Sequence, residues 1–553
     1  MNGSRSWHGQ YGPGVPPDPD FERITLPEVL TRTAGRFPDR TALIFMGKKI
    51  LYRELESLVN RCARALAAIG VQQGDRVALL LPNMPQFVIA AYAALRIGAV
   101  AVPCDPLATE EELAGQLTDS ASAVLVTLDL LYPRALALKE KTGVRSIVVC
   151  HITDYLPFPG NKLLPFFQKM LYRKIAPEPG IHEFLPFLLP HADTPVESRA
   201  QWDQVATLIH TEGTTGAGKG VLLTHANMAA GSQQLRIWLA DLQDGAESIL
   251  AIFPFFHPAG WTAVQNLAIR AGWTDILVPH PDLPAIIEIM QKHKPALLAG
   301  PPGIYRLLLL QDRFRKAGLS AVKGFITGAA PVSPGLAGEL RSLRNVPVIN
   351  LYGLTETCAI GAATPWGGPE KPGTVGLPLP GTDLKIVDAD RGDRELPADE
   401  VGEICLKGPQ VMQGYASGPV TAAAAANDGW FSTGDVGSID PEGYLTVLDR
   451  KEDLIVTAGR RIYPGEIDAV LLTHPEVLDV CTIGVSDGHG GMTAKSYVVL
   501  KPGQTAKVGE MFAHCRERLP ADKVPQSIEF IDALPKSTLG KTLRREVKAR
   551  QRS

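Results

Sequence analysis

Residues 208–220 read LIHTEGTTGAGKG, and this stretch decides the fold class of the chain. It holds four glycines, three threonines and one lysine within thirteen residues. Glycine lets successive backbone N–H groups converge on an anion, and hydroxyl and ammonium groups add donors and positive charge. The stretch therefore predicts a phosphate-binding loop, which we favour over a flexible surface hairpin.

The same stretch nearly matches the Walker A pattern of nucleotide-binding loops. Residue 220 is glycine, however, where that pattern needs a serine or threonine for Mg²⁺. A Walker loop also opens directly into a helix, whereas residues 221–225 read VLLTH and continue as an apolar strand. The sequence therefore favours a phosphate loop between two strands, one at 205–209 and one at 221–225.

The composition is that of a large globular protein. The chain has 553 residues, of which 45% are hydrophobic and 20% charged, so it can bury a large core without disulfides. This excludes chain-wide disorder and a small disulfide scaffold. The net charge of −3 leaves no basic footprint for nucleic acid.

The cysteines and the distribution of apolar residues indicate in which cellular compartment the protein resides. The seven cysteines are dispersed, without a CxxC pair or zinc spacing, which fits a reducing compartment. The first twenty residues lack the apolar segment of a secretory signal. The most apolar stretch, 87–102, is interrupted by Arg96 and Gly98 and is too short to span a bilayer. We expect a cytoplasmic protein.

Apolar periodicity predicts helices that alternate with short buried strands. Leu55, Leu58, Val59 and Cys62 begin an amphipathic helix that Gly70 ends. This alternation predicts the α/β class with wound sheets. The predicted elements are helices at 53–69 and 85–97 and strands at 77–81, 99–102, 123–127 and 146–150.

Changes in composition divide the chain into domains. Residues 1–22 are rich in glycine and proline, and we expect them to be poorly ordered. Residues 23–449 form a large N-terminal domain with several subdomains. A charged run at 449–453 precedes a small α+β C-terminal domain at 450–553, which we expect to be mobile. Its predicted elements are a helix from 464, strands at 480–485, 496–500 and 528–531, and a helix at 511–519.

Residues 151–190 interrupt the alternation with prolines, aromatic residues and basic residues. We favour an insertion that packs on the domain. The alternative is an amphipathic segment at 162–175 that lies on a membrane surface, with basic residues toward anionic lipid.

Further motifs follow the glycine-rich loop in order along the chain. With that loop, they resemble the adenylate-forming superfamily of acyl-CoA synthetases, peptide-synthetase adenylation domains and luciferases, over about residues 25–545. Each motif alone is weak evidence, but six or more in order are specific. They read FFHPAG at 255–260, GAAP at 328–331, LYGLTE at 351–356, GWFSTGD at 429–435, DR at 449–450, PGEI at 464–467 and PKSTLGK at 535–541.

The resemblance implies two half-reactions that use ATP, Mg²⁺ and coenzyme A. A carboxylate attacks the α-phosphate of ATP and releases pyrophosphate, and a thiol then displaces AMP from the acyl-adenylate. The catalytic residues implied are Lys541, which neutralises charge at the α-phosphate, His257, which orients the carboxylate or gates the acyl pocket, and Glu356, which holds Mg²⁺ with Thr211.

The resemblance also assigns binding roles. Asp435 and Arg450 bind the ribose and Tyr352 stacks on adenine. Glu452 is the hinge between the domains, and Gly459 faces the pantetheine of coenzyme A. The acyl pocket is formed by His257, Trp261, Thr262 and Gly328. The ATP and AMP contacts implied are Thr211, Gly213, Thr214, Thr215, Gly216, Lys219, Gly328, Ala329, Ala330, Leu351, Tyr352, Gly353, Thr355, Asp435 and Arg450.

Three positions depart from the superfamily pattern. Glu212 stands where a small residue is usual, and at about 4 Å and an effective dielectric near 20, like charges repel by about 4 kcal/mol. We therefore expect an active enzyme with weakened ATP affinity. His210 replaces an aromatic residue and is a candidate partner for Glu212. Gly218 replaces proline, which predicts a looser loop.

The leading function is a coenzyme A ligase for a medium- or long-chain fatty acid. The 151–190 insertion resembles that of long-chain members, and small residues such as Ala259 and Gly260 leave room for an alkyl chain. Amino-acid adenylation stays open because of Asp241. An acyl-AMP ligase that loads a carrier protein and a degenerate ATP-binding protein that is not an enzyme are further alternatives. A homodimer and a peripheral membrane contact are compatible with the sequence.

Overall fold

The computed structural model describes residues 5–157, 172–211, 218–317, 319–390, 392, 394–417, 428–457, 460–487, 491–537 and 540–552. The strands in chain order are β1 (Thr41–Phe45), β2 (Lys48–Leu51), β3 (Arg76–Leu80), β4 (Val100–Pro103), β5 (Ser122–Leu128), β6 (Ser146–Cys150), β7 (Ile181–Glu183), β8 (Val205–His210), β9 (Gly220–Thr224), β10 (Ser248–Ala251), β11 (Thr274–Leu277), β12 (Leu297–Ala299), β13 (Gly324–Gly328), β14 (Val348–Tyr352), β15 (Ala362–Ala363), β16 (Leu377–Pro378), β17 (Asp383–Val387), β18 (Gly402–Lys407), β19 (Gly414–Tyr415), β20 (Phe431–Ile439), β21 (Leu445–Arg450), β22 (Ile455–Thr457), β23 (Arg460–Ile462), β24 (Val477–Ser486), β25 (Met492–Leu500) and β26 (Ser527–Phe530).

The helices in chain order are α1 (Leu26–Arg36), α2 (Tyr52–Ala68), α3 (Pro85–Arg96), α4 (Glu110–Asp119), α5 (Tyr132–Lys141), α6 (Phe184–Leu188), α7 (His225–Trp238), α8 (Pro258–Gly260), α9 (Leu267–Ala271), α10 (Leu283–His293), α11 (Pro302–Leu309), α12 (Asp312–Lys316), α13 (Pro334–Arg344), α14 (Pro464–Leu471), α15 (Val508–Arg516) and α16 (Arg544–Arg552). A π-helix at Trp261–Asn266 joins α8 to α9. None of the described helices is long and apolar enough to cross a membrane.

Two wound sheets make up most of the N-terminal domain. The first has the strand order β19-β9-β8-β4-β3-β5-β6-β7, and the second has the order β16-β15-β14-β13-β12-β10-β11-β1-β2. Their central strands pair in parallel and are apolar along most of their length, as expected for strands with both faces covered. The α/β fold predicted from the sequence is confirmed.

One core cluster joins the two sheets through α3. This helix is buried along its whole length because nearly every position is apolar or small. Phe87 on α3 packs edge-on against Trp261 of the π-helix, with the ring centroids 5.7 Å apart. At the end of α3, the buried Arg96 binds both carboxylate oxygens of Glu56 at 2.8 Å.

The described part of the N-terminal segment is packed, so the expectation of a poorly ordered segment is wrong for residues 5–22. Trp7 is only 5% exposed and belongs to the main core. The Tyr11 hydroxyl donates a hydrogen bond to the Pro378 carbonyl at 2.6 Å. These two aromatic residues hold the segment in place despite its glycine and proline content.

Only part of the 151–190 insertion is described. It supplies β7, which pairs in parallel with β6 at the edge of the first sheet, and then α6. Ile175 is buried in the core of the first sheet. The predicted amphipathic segment at 162–175 lies mostly outside the described residues.

The chain ends in a smaller α+β unit. A four-stranded sheet in the order β17-β18-β20-β21 leads to it, followed by the hairpin β22-β23 and the sheet β24-β25-β26. Its own core includes Ile467, Val498 and Met511. The predicted small C-terminal unit is therefore present, and its mobility stays a prediction.

Candidate active site

The predicted site residues converge where strands of the second wound sheet end. His257 follows β10, Ala329 follows β13, and Glu356 lies on a short 3-10 helix just after β14. Because β10, β12, β13 and β14 are parallel, their carboxyl ends meet at one edge of the sheet. This is the edge where ligands bind in open α/β sheets.

The phosphate loop is closed at its base by backbone bonds. The Thr211 N–H donates to the Lys219 carbonyl at 3.0 Å, and the Lys219 N–H donates to Thr211 Oγ1 at 3.1 Å. A Cβ at Gly218 would lie 2.1 Å from the Thr211 carbonyl oxygen, so in this chain the two backbones approach more closely than a side chain at residue 218 would allow. Glu212, Gly213, Thr214, Thr215 and Gly216 lie outside the described residues.

Glu356 is held by a residue that the sequence analysis missed. The Tyr415 hydroxyl donates to Glu356 Oε1 at 2.7 Å, and the Lys219 ammonium lies 5.2 Å from the centroid of the Tyr415 ring. Tyr415 therefore connects the phosphate loop to the carboxylate predicted to hold Mg²⁺. No local pattern marked Tyr415, because it lies 59 residues from Glu356 in the chain.

The chemistry of this carboxylate fits Mg²⁺. Glu356 is 9% exposed, and Oε2 accepts no hydrogen bond from the described residues. Those residues contain no group of three or more His, Cys, Asp or Glu side chains that could hold a metal. Mg²⁺ in nucleotide enzymes is commonly held by one or two carboxylates together with substrate phosphates, so a single carboxylate suffices.

The predicted adenine and ribose ligands contact one another. The Tyr352 hydroxyl donates to Asp435 Oδ2 at 2.8 Å, and Arg450 Nε binds Asp435 Oδ1 at 2.7 Å. Burial raises the pKa of Asp435, and the Arg450 guanidinium opposes that shift. Burial also raises the pKa of Tyr352 well above its usual value, so its hydroxyl stays a donor.

The backbone beside these residues is tight. A Cβ at Gly328 would lie 2.4 Å from the Leu351 carbonyl oxygen, and one at Gly353 would lie 2.3 Å from the carbonyl carbon of Ala359. Ala329 has a φ of +63°, which a residue with a side chain rarely adopts. The backbone is therefore closely packed where β13 and β14 end. The predicted nucleotide contacts Ala330 and Thr355 follow these strand ends in the chain.

His257 is neutral and has a defined tautomer. Its Nδ1 accepts a hydrogen bond from the Ala259 N–H at 3.1 Å, which caps α8. Burial, assisted by the positive charge of Lys541, lowers the pKa of His257 to about 3. The proton therefore lies on Nε2, which can donate to a carboxylate or carbonyl oxygen.

The predicted acyl-pocket residues next to His257 are fully buried. Trp261 and Thr262 open the π-helix and are each 0% exposed. Within the described residues, the Trp261 indole N–H has no hydrogen-bond partner. A π-helix within a helical stretch is uncommon and is frequently found at functional sites.

The C-terminal unit brings Lys541 to this edge. Burial is the main influence on the pKa of both His257, in the loop after β10, and Asp435, on β20, and the charge of Lys541 lowers both pKa values. Arg306 on α11 and Asp479 on β24 approach to 3.9 Å across the two units. The predicted catalytic lysine and the predicted ribose carboxylate therefore share one site.

At the domain boundary, the predicted hinge residue is exposed, whereas the neighbouring last helix is held by ion pairs. Glu452, the predicted hinge, lies exposed in a short 3-10 helix, and Gly459 lies outside the described residues. Beside the hinge, Arg544 on α16 binds Asp449 and, at 2.6 Å, Asp468. These contacts fix the last helix close to Lys541.

Family models match most of the chain. A model of the AMP-binding enzyme matches residues 30–416, and a model of the AMP-binding enzyme C-terminal domain matches residues 466–541. The chain belongs to the AMP-binding enzyme family. The resemblance to adenylate-forming enzymes predicted from the motifs is thereby confirmed.

Relatives of this AMP-binding enzyme match it over almost its full length. The long-chain-fatty-acid–CoA ligase of Bacillus subtilis (strain 168) is 39% identical over 99% of this chain and 98% of its own. The feruloyl-CoA synthase of Amycolatopsis sp is 32% identical over 94% and 97%. Among solved structures, ATP-bound MatB from Rhodopseudomonas palustris is 27% identical, with a TM-score of 0.84 over 96% of this chain and 99% of that one.

One departure of this AMP-binding enzyme from the superfamily pattern has an unexpected partner. His210 Nε2 lies 2.9 Å from Asp119 Oδ2, at the end of α4. The expected partner, Glu212, lies outside the described residues. Sequence reasoning missed Asp119 because 91 residues separate it from His210.

Proposed function

We propose that the protein is an AMP-forming ligase that joins a long-chain fatty acid to coenzyme A, with ATP and Mg²⁺. The observation that carries the proposal is the position of the Lys541 segment: a Cβ at Gly540 would lie 3.9 Å from Gly303 Cα of the N-terminal domain, and the charge of Lys541 acts on both His257 and Asp435. The full-length similarity to a long-chain-fatty-acid–CoA ligase supports the substrate class.

In the first half-reaction, a carboxylate oxygen of the fatty acid bonds to the α-phosphorus of ATP. The bond between that phosphorus and the pyrophosphate oxygen breaks, and pyrophosphate leaves. Lys541 supplies positive charge where two negatively charged groups approach. His257 donates from Nε2 to the acid and holds it in line.

The nucleotide is held by groups from several strands and from the phosphate loop. Asp435 accepts from a ribose hydroxyl and Arg450 donates to one, while Tyr352 lies against the base. Thr211 and Lys219 bind the outer phosphates. Mg²⁺ held by Glu356 neutralises phosphate charge when bound.

In the second half-reaction, the coenzyme A thiol loses its proton and its sulfur bonds to the carbonyl carbon of the acyl-adenylate. The bond between that carbon and the AMP oxygen breaks, giving the thioester and AMP. We propose that the C-terminal unit turns about Glu452 between the two steps, which brings Gly459 toward the pantetheine.

A second candidate is ligation of an aromatic acid. The 32% identity to a feruloyl-CoA synthase favours it. The fully buried Trp261 at the acyl side is also compatible with a short, flat substrate.

A pyrophosphate-release assay separates these functions. Purified protein with ATP and Mg²⁺ is tested with octanoate, palmitate, benzoate, ferulate and mixed amino acids, each with and without coenzyme A. The proposal predicts the highest release with palmitate, together with palmitoyl-CoA. A maximum with ferulate or benzoate supports the second candidate. Adenylate without a CoA product points to a carrier-protein acceptor, and no release with any acid contradicts both ligase functions.

A further inference from the structure

We propose that Asp119 and His210 form a clamp at the base of the phosphate loop and set the affinity for the outer phosphates of ATP. This inference rests on the proposed use of ATP. It concerns two positioning residues, because neither side chain is assigned to the substrate itself.

Three strands end together at the base of the phosphate loop. His210, the last residue of β8, is paired with Gly220, the first residue of β9. On the other side of β9, Tyr415 of β19 pairs with Val221, and the Ala416 N–H donates to the Gly220 carbonyl at 2.7 Å. Any shift between these strands therefore moves both ends of the loop.

The carboxylate of Asp119 touches all three strand ends. Its Oδ2 lies 2.9 Å from His210 Nε2, and its Oδ1 accepts a hydrogen bond from the Ser417 hydroxyl at 2.9 Å. A Cβ at Gly220 would lie 2.9 Å from the same Oδ2, so the carboxylate rests directly on the glycine backbone.

The histidine of the pair is shielded from solvent, whereas the carboxylate is partly exposed. The His210 side chain is 3% exposed and that of Asp119 is 28% exposed. Burial lowers the pKa of His210, with Asp119 opposing the shift. The neutral imidazole donates from Nε2, and a hydrogen bond between a buried donor and a carboxylate is stronger than one between neutral groups.

The clamp is one residue away from groups that face the phosphates. Thr211 follows His210, Lys219 precedes Gly220, and Tyr415 holds Glu356. Loosening the clamp therefore displaces Lys219 and Thr211 together. AMP lacks the outer phosphates and depends on Tyr352, Asp435 and Arg450 instead. The clamp accordingly predicts a loss of affinity for ATP but not for AMP.

Calorimetric titration of the full chain with Mg²⁺-ATP and, separately, with AMP tests this separation. We expect His210→Phe to raise the Kd for ATP by about tenfold, the loss that follows one hydrogen bond to a charged group, and Asp119→Ala, which also removes the bond from Ser417, to raise it at least as much. The Kd for AMP stays unchanged. The double variant binds ATP no more weakly than Asp119→Ala, because that change alone already removes the bond to His210.

Two further variants keep the test specific. His210→Gln retains an N–H donor of similar reach and recovers most of the ATP affinity. His151→Phe is the matched control, because His151 Nδ1 lies 2.9 Å from Asp129 Oδ2 at the far side of the same sheet. It lowers thermal stability and leaves the Kd for ATP unchanged.

Two results overturn the clamp. One is an unchanged Kd for ATP in the folded single variants, and the other is an equal loss for ATP and AMP. If His210→Phe does not fold, Asp119→Ala decides, since it removes the same bond at a partly exposed helix end. The titration needs neither acid nor coenzyme A, so failure of the clamp and failure of the proposed ligase activity are distinguished.

Discussion

The hydroxyl of Tyr352 donates a hydrogen bond to Oδ2 of Asp435 at 2.8 Å, across 83 residues of chain. Tyr352 ends β14 of the second wound sheet, and Asp435 lies on β20 of the four-stranded antiparallel sheet. This bond therefore ties the two sheets together at the nucleotide site. With Arg450 on its other oxygen, Asp435 is oriented before a nucleotide binds.

Removing this bond is predicted to weaken the binding of AMP and ATP alike. Hydrogen bonds to charged groups contribute about 1.5–3 kcal/mol, so Tyr352→Phe raises both Kd values by about tenfold or more. Calorimetric titration measures both. Tyr305→Phe is the control, because the Tyr305 hydroxyl donates only to backbone carbonyls of the core. Loss of ATP affinity with normal AMP affinity would contradict the assignment of Tyr352 to the nucleoside.

Lys541→Ala is predicted to stop the first half-reaction selectively. Loss of one charged group that stabilises a transition state typically lowers kcat by about 10²–10³-fold. Pyrophosphate release falls by that factor, whereas coenzyme A transfer from supplied acyl-adenylate is retained. Lys548→Ala is the control. The Lys548 ammonium lies 2.7 Å from a carboxylate oxygen of Asp453, and it has no proposed role at the nucleotide. An equal loss in both half-reactions counts against the role of Lys541 in adenylation.

Glu452→Pro is predicted to impair the second half-reaction and not the first. Proline fixes φ near −65° and restricts the residue before it, so the change in backbone dihedral angles that a hinge needs is blocked at this position. Adenylate formation is spared and thioester formation is slowed. Stopped-flow measurement of each half-reaction checks this, with Glu452→Ala as the control. If both steps slow equally, the hinge does not lie at Glu452.

A buried acid in the second sheet predicts how stability depends on pH. Asp275 on β11 is 1% exposed, and neither carboxylate oxygen has a hydrogen-bond partner within the described residues. Burial raises the pKa of Asp275 well above its usual value. The folded state thus holds this proton more tightly than the unfolded state, and stability falls as pH rises above about 3.9, the pKa in the unfolded chain.

The variant Asp275→Asn removes this ionisation. We expect its melting temperature to exceed that of the parent by more at pH 8 than at pH 5. Glu111→Gln, at an exposed site on α4, is the control and shows no such trend. A difference independent of pH would show that Asp275 is already charged in the folded protein.

Glu212→Ser is predicted to tighten ATP binding. Removing a like charge from the phosphate loop is expected to lower the Kd for ATP by about tenfold, or about 1.4 kcal/mol. The gain shrinks at high salt because screening weakens the repulsion. Titration at two ionic strengths measures it, with AMP as the reference ligand. Unchanged ATP affinity would refute the electrostatic role of Glu212.

Much of the fold follows from local pattern. The helix predicted at 53–69 is α2 at Tyr52–Ala68, and the strand predicted at 146–150 is β6. Buried parallel strands are continuous apolar runs and amphipathic helices repeat every 3.6 residues, so both can be identified without tertiary contacts. The packed N-terminal segment could not, because Trp7 is held by residues distant in the chain.

The candidate site also combines residues that local sequence predicts with residues that it does not. The motifs predict site roles for Tyr352, Glu356, Asp435 and Lys541, because the neighbours of these residues in sequence carry the pattern. Tyr415 and Asp119 carry no such signal, since each acts through a partner on another strand or helix. Pairing of that kind depends on the sheet order and becomes visible only in three dimensions.

Fatty-acid-dependent exchange of labelled pyrophosphate into ATP tests the central claim most directly. It reports formation of the acyl-adenylate and needs no coenzyme A. The account predicts exchange that requires palmitate and Mg²⁺, persists without coenzyme A and is lost in Lys541→Ala. No exchange with any carboxylic acid, in folded protein that binds ATP, would contradict it.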